Sequence, residues 1–533
     1  MRLPSFASPF VYAFSFAFAA ALLATCGSEP AGAATGQYTY HFDNNRTGWN
    51  NRETTLTTAN VSSSHFGLVR TLAADSVVYA QPLYAPGILV GSVRHNLAIV
   101  ASENDTVYAY DADTGKLVWI RSFTDPSQGI TSVSLSSLNG CDQVSPTIGI
   151  SSTPVIDPST DILYLIDKIQ VTRNGTTAYQ FQMRGLDLHS GRDRIPWTAI
   201  GATVKLGDGS SQSFNPQMQN NRPGLLLANG RVYAGFGSCG DKNPAVVHGW
   251  VFAFDASTLK QVAVLNTASS SVNSTLGSVW QATFGLSADA NGNLYFSTGN
   301  GSFDADTGGS DYGESVLRTD ANLNVTDYFS PFDENTLSNE DQDIGSSGVM
   351  LIPDIPNSSA HLAIAGMKEG TMYLLDRDNL GRFNASADRA LQEVVMRNYS
   401  DSLFGGPAYY SGTIYWCAWG EPLMSYQLNL SPTPRLALRT MTSNVFGQGG
   451  TIPSVSSNRT LAGTAIVWAT TRPSKGSTIQ LYAYDATNLA KTLYVGTVGT
   501  WEADKIAFLS PTIADGHVFV SGAGYGVAEF GLH

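Results

Sequence analysis

The sequence predicts an all-β fold, an eight-bladed β-propeller of four-stranded antiparallel blades whose ring is closed by an N-terminal strand. Three observations carry that expectation. The chain of 533 residues is 43% hydrophobic and 11% aromatic, yet only 14% charged, with 52 glycines and 23 prolines. Soluble proteins average roughly 25% charged residues, so this surface relies on hydroxyls and amides, and turns must be frequent. Runs of apolar residues alternate with a period of two between Gly, Asn and Asp punctuation, which indicates strands and disfavours a helical bundle. The pattern also repeats about every sixty residues, the signature of stacked or radial units.

Each unit opens on a small–Pro–hydrophobic element. It occurs at Gln81-Pro82-Leu83-Tyr84, Thr153-Pro154-Val155-Ile156, Arg222-Pro223-Gly224-Leu225, Gly406-Pro407-Ala408-Tyr409, Ile452-Pro453-Ser454-Val455 and Ser510-Pro511-Thr512-Ile513. Gly285-Leu286-Ser287 and Ser347-Gly348-Val349 fill the two gaps without proline, which makes eight starts. A second strand follows, such as Leu294–Ser297 or Val518–Val520. The third ends in an acidic turn: Val107–Asp111, Val251–Asp255, Met372–Asp376 and Leu481–Asp485. Radial packing of such units leaves only short, protected edges. The last unit, ending at His533, is one strand short, and either Tyr38–Phe42 or Phe66–Thr71 is expected to complete it. Two β-sandwiches in tandem are the alternative, and a single continuous period argues against them.

A net charge of −13, from 43 acids against 30 bases, excludes the electrostatics of nucleic-acid or anionic-membrane binding. Residues 1–34 read as a secretory signal: Arg2 precedes an apolar stretch from Phe10 to Ala24, too short for a membrane span. Ala31-Gly32-Ala33-Ala34 suits cleavage near residue 34, whereas Leu23-Ala24-Thr25-Cys26 resembles a lipoprotein signal. The propeller domain is then expected over 35–533, secreted or extracytoplasmic. Twelve N-x-S/T sequons, Asn45, Asn104, Asn174 and Asn398 among them, hint at a glycosylating host. Apart from Cys26, only Cys141, Cys239 and Cys417 remain, enough for one internal bridge.

Ala109-Tyr110-Asp111-Ala112-Asp113-Thr114-Gly115-Lys116-Leu117-Val118-Trp119 resembles the A-x-D-x-x-T-G-K-x-x-W tryptophan-docking motif of quinoprotein dehydrogenases, eight-bladed propellers that bind pyrroloquinoline quinone (PQQ) with calcium. The motif locks blades together and occurs in cofactor-free scaffolds too. The resemblance runs from Asp43-Asn44-Asn45-Arg46 through the final blades. Gly277-Ser278-Val279-Trp280, followed by Leu294 to Gly301, is similar to the family's G-x-x-W…Y-x-G-T-G-N-G segment. The resemblance implies that Trp280 floors a flat quinone and that Asn300 coordinates calcium. Both roles suit their chemistry: an indole offers a stacking face, and an amide oxygen is a hard ligand.

Val232 to Asp241, leading to His248-Gly249-Trp250-Val251, looks like the segment that carries the family's calcium-binding glutamate, with Asp241 as the nearest acid. Met367 to Arg377 resembles K-N-G-x-x-Y-V-L-D-R, which places Lys368 at the quinone oxygens, where a cation stabilises developing negative charge. Ser330 to Asp343 looks like a stretched form of the P-H-D-x-W-D-x-D loop. It leaves Asp333, Asp341 and Asp343 as alternatives for the base that takes a hydroxyl proton while hydride passes to the quinone. Gly140-Cys141-Asp142-Gln143-Val144 resembles the family's C-C-D-x-V, but glycine replaces the first cysteine, so no vicinal disulfide forms. Cys141 stays beside the cofactor position by this resemblance and is expected to pair with Cys239.

No C-x-x-C-H is present, which excludes a covalent c-type haem, and no H-E-x-x-H, G-x-S-x-G or phosphate-binding loop occurs. The expectation is an exported oxidoreductase that oxidises an alcohol or sugar hydroxyl with PQQ and Ca²⁺ and hands electrons to an external acceptor. The competing reading is a propeller that has lost its cofactor and binds a protein or glycan. The changed cysteine pair and stretched acidic loop favour that rival; joint retention of Trp280, Asn300 and Lys368 favours the enzyme.

Overall fold

Eight antiparallel sheets follow one another along the chain, as the computed structural model of the protein shows for Met1 and residues 35–138, 144–241, 246–396, 403–505 and 507–533. Blade 1 comprises Leu83–Val90, Val93–Ala101, Thr106–Asp111 and Leu117–Ser122, each paired to the next. The first strands of the other blades are Val155–Asp157, Leu226–Ala228, Ser287–Ala288, Met350–Leu351, Ala408–Tyr410, Ser454–Ser456 and Thr512–Ala514. All eight starts read from the sequence therefore open a blade. First strands of neighbouring blades touch at six of the eight junctions, that between blades 8 and 1 among them, and apolar clusters span the other two, so the sheets form a closed ring around an axis.

Closure uses one of the two expected N-terminal strands. Phe66–Ala73 pairs antiparallel with the last strand, Gly526–Leu532, and supplies the fourth strand of blade 8. Tyr38–Phe42 does something else. The segment 37–53 runs along the inner strands and bonds to all eight blades in turn. Gln37 pairs with Tyr84, and Ile156 N–H donates to Tyr38 O. Asn44 bonds Leu227 and Ala288, Asn45 O accepts from Leu351, and Thr47 O from Tyr409. Gly48 O accepts from Val455, and Asn50 Nδ2 donates to Ile513 O. Arg46, fully buried, is its hub: Nε donates to Leu286 O at 2.7 Å, Nη1 to Tyr40 O and Thr39 Oγ1 at 2.7 Å, and Nη2 to Leu225 O at 3.1 Å.

The period-two pattern works on both faces at once. In Thr106–Asp111, Val107 and Ala109 join the cluster between blades 1 and 2, while Tyr108 and Tyr110 join that between blades 8 and 1. Among the described residues eight such clusters occur, one between each pair of consecutive blades. The hydrophobic drive thus acts between sheets and not at one centre. Trp119 of the docking motif does lock blades: its Nε1 donates to Leu188 O of blade 2 at 2.8 Å, and its ring lies over Gly191, where a Cβ would come within 2.6 Å of it. No helix of the described residues is long and apolar enough to cross a membrane. The proposed signal segment and Cys26 lie outside the described residues.

Candidate functional site

The loops that enter the inner strands converge on one cavity of about 260 Å³ at the axis. Trp280, Asn300, Asp241, Asp341, Asp343 and Lys368 all line it, although they come from blades 3, 4 and 5 and from the connections between them. Asp333 does not. It precedes the helix Glu334–Glu340, into which the insertion of the stretched acidic loop folds, and its carboxyl is pushed up by burial and by Asp388. The helix stops where Asp341 turns left-handed, at φ 56°, and that turn aims residues 341–343 at the cavity. Ser338 Oγ, accepting from Gly301 N–H at 3.0 Å, ties the helix to the loop carrying Asn300.

Trp280 is positioned from behind. Gly237 packs under its ring, and a Cβ there would lie 3.0 Å from it. Gly277 N–H donates to Asn300 O at 2.7 Å and Gly299 N–H to Ser278 O at 2.9 Å, so the tryptophan loop and the asparagine loop are one clamped unit. Beyond Trp280 the backbone takes three successive left-handed residues, Gln281 at φ 49°, Ala282 at φ 45° and Thr283 at φ 73°. Non-glycine residues pay strain for this conformation. It is held by the fully buried Gln281, whose Nε2 donates to Phe284 O at 2.7 Å and whose Oε1 accepts from Ser297 N–H at 2.9 Å.

The charges are unevenly shared. Lys368 Nζ sits 2.6 Å from Asp341 Oδ1 and 2.7 Å from Asp343 Oδ1. Burial draws its ammonium down, but Asp343 and Asp341 outweigh burial and hold its pKa above the ordinary lysine value. Asp343 is 5% exposed and Asp341 70% exposed, so the two carboxylates do different work. Burial raises Asp343 against the pull of Lys368. Asp241 is pushed up to about 6 by burial, against the hydrogen bond from Ser238 Oγ at 2.5 Å, with Asp343 adding to the rise. Glu314, fully buried behind the site, accepts from Ile344 N–H at 3.0 Å and is raised by burial and then by Asp343.

Asn300 Nδ2 donates to Asp341 Oδ1 at 2.8 Å, whereas its Oδ1 is sealed from solvent with no partner. An orphaned carbonyl oxygen beside surplus carboxylates suits a hard cation. Among the described residues no three His, Cys, Asp or Glu side chains form a shell by themselves, so the amide oxygen would be a necessary donor. A half-buried indole above glycine, facing the cavity, suits a flat aromatic ring. The residues present therefore fit both groups.

Cys239, buried next to Gly240 and Asp241 at this wall, is disulfide-bonded; Cys141, its expected partner, lies outside the described residues, and Cys417 is a free, buried thiol. Arg222, Ser346, Phe404 and Phe508 complete the lining with Gly240 and Ala282, and none of these was singled out from the sequence as a site residue. A signal existed: Phe404 and Phe508 each stand three residues before a blade-opening proline, and Arg222 immediately before one.

The fold is an eight-bladed propeller, similar in architecture to the quinoprotein alcohol dehydrogenases. The quinohemoprotein alcohol dehydrogenase of Comamonas testosteroni is similar over 93% of this chain and 80% of its own, at a TM-score of 0.57 and 16% identity. The enzyme ADHIIG of Pseudomonas putida HK5 matches with the same coverage and TM-score at 13% identity. A europium-containing methanol dehydrogenase matches over 91% and 90% of the two chains, at 0.55 and 14% identity. At such identities the likeness is one of fold. No family model and no curated protein matches the chain.

Proposed function

We propose that this protein is an exported quinoprotein-like oxidoreductase that oxidises an alcohol or sugar hydroxyl with PQQ and a hard cation, Ca²⁺ by its donor set. The observation that carries this reading is the convergence of Trp280, Asn300, Asp241, Lys368, Asp341 and Asp343 on one cavity. PQQ, when bound, supplies a two-electron acceptor, and the cation a Lewis acid beside it. Trp280 would floor the quinone, and Asn300 Oδ1 with Asp241 would hold the cation. Lys368 Nζ, kept charged by its two carboxylates, donates to oxygen on which negative charge develops.

Asp343 is the base we assign: it is sealed from bulk water, and burial raises its affinity for a proton. It would take the hydroxyl proton at a carboxylate oxygen. Asp341, open to solvent, orients Lys368 and Asn300. Purified protein incubated with PQQ and Ca²⁺ should retain quinone absorbance after desalting and support dye-linked alcohol oxidation. Absence of binding at micromolar PQQ would sink the reading and leave the protein- or glycan-binding scaffold. Secretion through residues 1–34 belongs to the same proposal and is checked by N-terminal sequencing of the exported protein.

A further inference from the structure

A second volume, of about 340 Å³, adjoins the axial cavity, and Lys368, Asp341 and Phe404 line both spaces. Its remaining walls are Trp419, Gln448, Gln342 and Glu340. Glu340 and Gln448 are exposed, so this space is a vestibule that opens to solvent.

Trp419 follows the second strand of blade 6, Thr413–Trp416, as Lys368 follows that of blade 5 and Asn300 that of blade 4. The turn that carries a cation or an amide in those blades carries an indole in the next. Gly420 N–H donates to Phe446 O at 2.8 Å and Phe446 N–H to Glu421 O at 2.9 Å, which fastens this turn to the one bearing Gln448. Trp419 is half-buried; among the described residues its Nε1 donates to nothing and no other ring stacks on it. Gln448 and Glu340 are likewise unbonded there. Gln342 leaves the helix Glu334–Glu340 beside them, so the insertion that stretches the acidic loop also builds one wall of the vestibule.

Such a surface suits a neutral polyol better than an apolar alcohol or an anion. An indole face packs against the C–H face of a sugar ring, and its N–H donates to a hydroxyl. Each glutamine amide offers donors and an acceptor, which matches neighbouring hydroxyls that do both. Glu340 and Asp341 accept from hydroxyls and repel a carboxylate. An aliphatic alcohol would desolvate these amides and carboxylates without pairing them.

We propose that the vestibule is a saccharide subsite, in which a pyranose ring stacks on Trp419 and is held by Gln448, Gln342 and Glu340. One ring hydroxyl then points past Lys368 and Asp341 into the axial cavity. That orientation rests on the reading of the axial cavity as the site of oxidation, and it names a sugar as the substrate class.

The test is calorimetric titration of the wild type and Trp419→Ala with glucose, galactose, cellobiose and maltose, and with 1-butanol as a simple alcohol, each with and without PQQ and Ca²⁺. At least one sugar should bind the wild type more tightly than 1-butanol, and Trp419→Ala should weaken it by about tenfold or more. PQQ affinity should stay within about two-fold, since Trp419 lines the vestibule and not the axial cavity. Gln448→Ala, a change on an exposed turn, should weaken the same sugar by about three- to tenfold, and it decides the matter should Trp419→Ala fail to fold. Sugar binding that depends on Trp419, in a protein that ignores PQQ, would uphold the subsite and refute the oxidoreductase. No sugar bound at about 50 mM overturns the subsite, and leaves the oxidoreductase standing where PQQ binds and 1-butanol is oxidised. Equal sugar affinity in wild type and Trp419→Ala overturns the subsite as well.

Discussion

Asp341 and Asp343 grip the same ammonium, yet only Asp343 is shut away from water. A base that acts near neutral pH needs that seclusion, because solvent would stabilise its ionised form. Asp343→Asn is expected to lower kcat by about 10²- to 10⁴-fold with PQQ affinity nearly unchanged. Asp341→Asn should cost less than about tenfold, since the lysine keeps its buried partner. Steady-state kinetics and PQQ titration of both variants separate the roles; equal losses would refute the assignment. Trp280 is tested on the same protein. Trp280→Ala should weaken PQQ by about 10- to 100-fold. Gly237→Val should weaken it too, because added methyl groups would enter the space beneath the indole.

The decisive element is the irregular segment 37–53. It contributes only one short strand, Trp49–Asn50, yet its bonds reach every blade. Arg46, itself fully buried, concentrates that role with five side-chain hydrogen bonds. Arg46→Ala would leave carbonyls of three separate segments unpaired and open a cavity. A loss of about 3 kcal/mol or more is expected in chemical denaturation. Trp119→Ala, which undoes one blade contact, should cost about 3–5 kcal/mol. The helix Glu334–Glu340 shows the opposite economy. It absorbs an insertion at the surface and returns the chain to the cavity at Asp341.

Across the whole molecule, charge is scarce but deeply placed, and pH should act through it. Glu103 is fully buried between blades; its Oε2 accepts from Gly149 N–H at 2.8 Å and Ser151 Oγ at 3.0 Å. Burial pushes its carboxyl up to about 7, and those bonds recover only part of the shift. The unfolded chain ionises Glu103 near 4.5, so between about 4.5 and 7 the folded state keeps a proton that the unfolded state has lost. This group's contribution to stability therefore falls as pH rises through that window, by about 3 kcal/mol for a shift of this size. Glu103→Gln should flatten that part of the stability profile, as measured by urea denaturation at pH 4.5, 6 and 7.5. A profile unchanged by the substitution would mean that Glu103 is ionised in the folded protein.

The sequence by itself determined the architecture. Strand alternation and blade starts are local signals, and a ring of like units needs only the same contact repeated between neighbours, so the period sufficed to count eight blades. Resemblance to the quinoprotein motifs also singled out Trp280, Asn300, Lys368 and Asp241, which line a single cavity. Which N-terminal stretch closes the ring was undecided, because Tyr38–Phe42 and Phe66–Thr71 both read as short strands. Only pairing with Gly526–Leu532 settled it. Asp333 could not be separated from Asp341 and Asp343 along the chain, since the intervening helix alone turns one acid away and two inward. The packing of Arg222 and Arg472 on Phe508 was likewise invisible, for the two arginines stand 250 positions apart and meet only at that ring. Local chemistry fixes strands and turns, whereas the field inside the cavity is set by which distant loops the closed ring forces together.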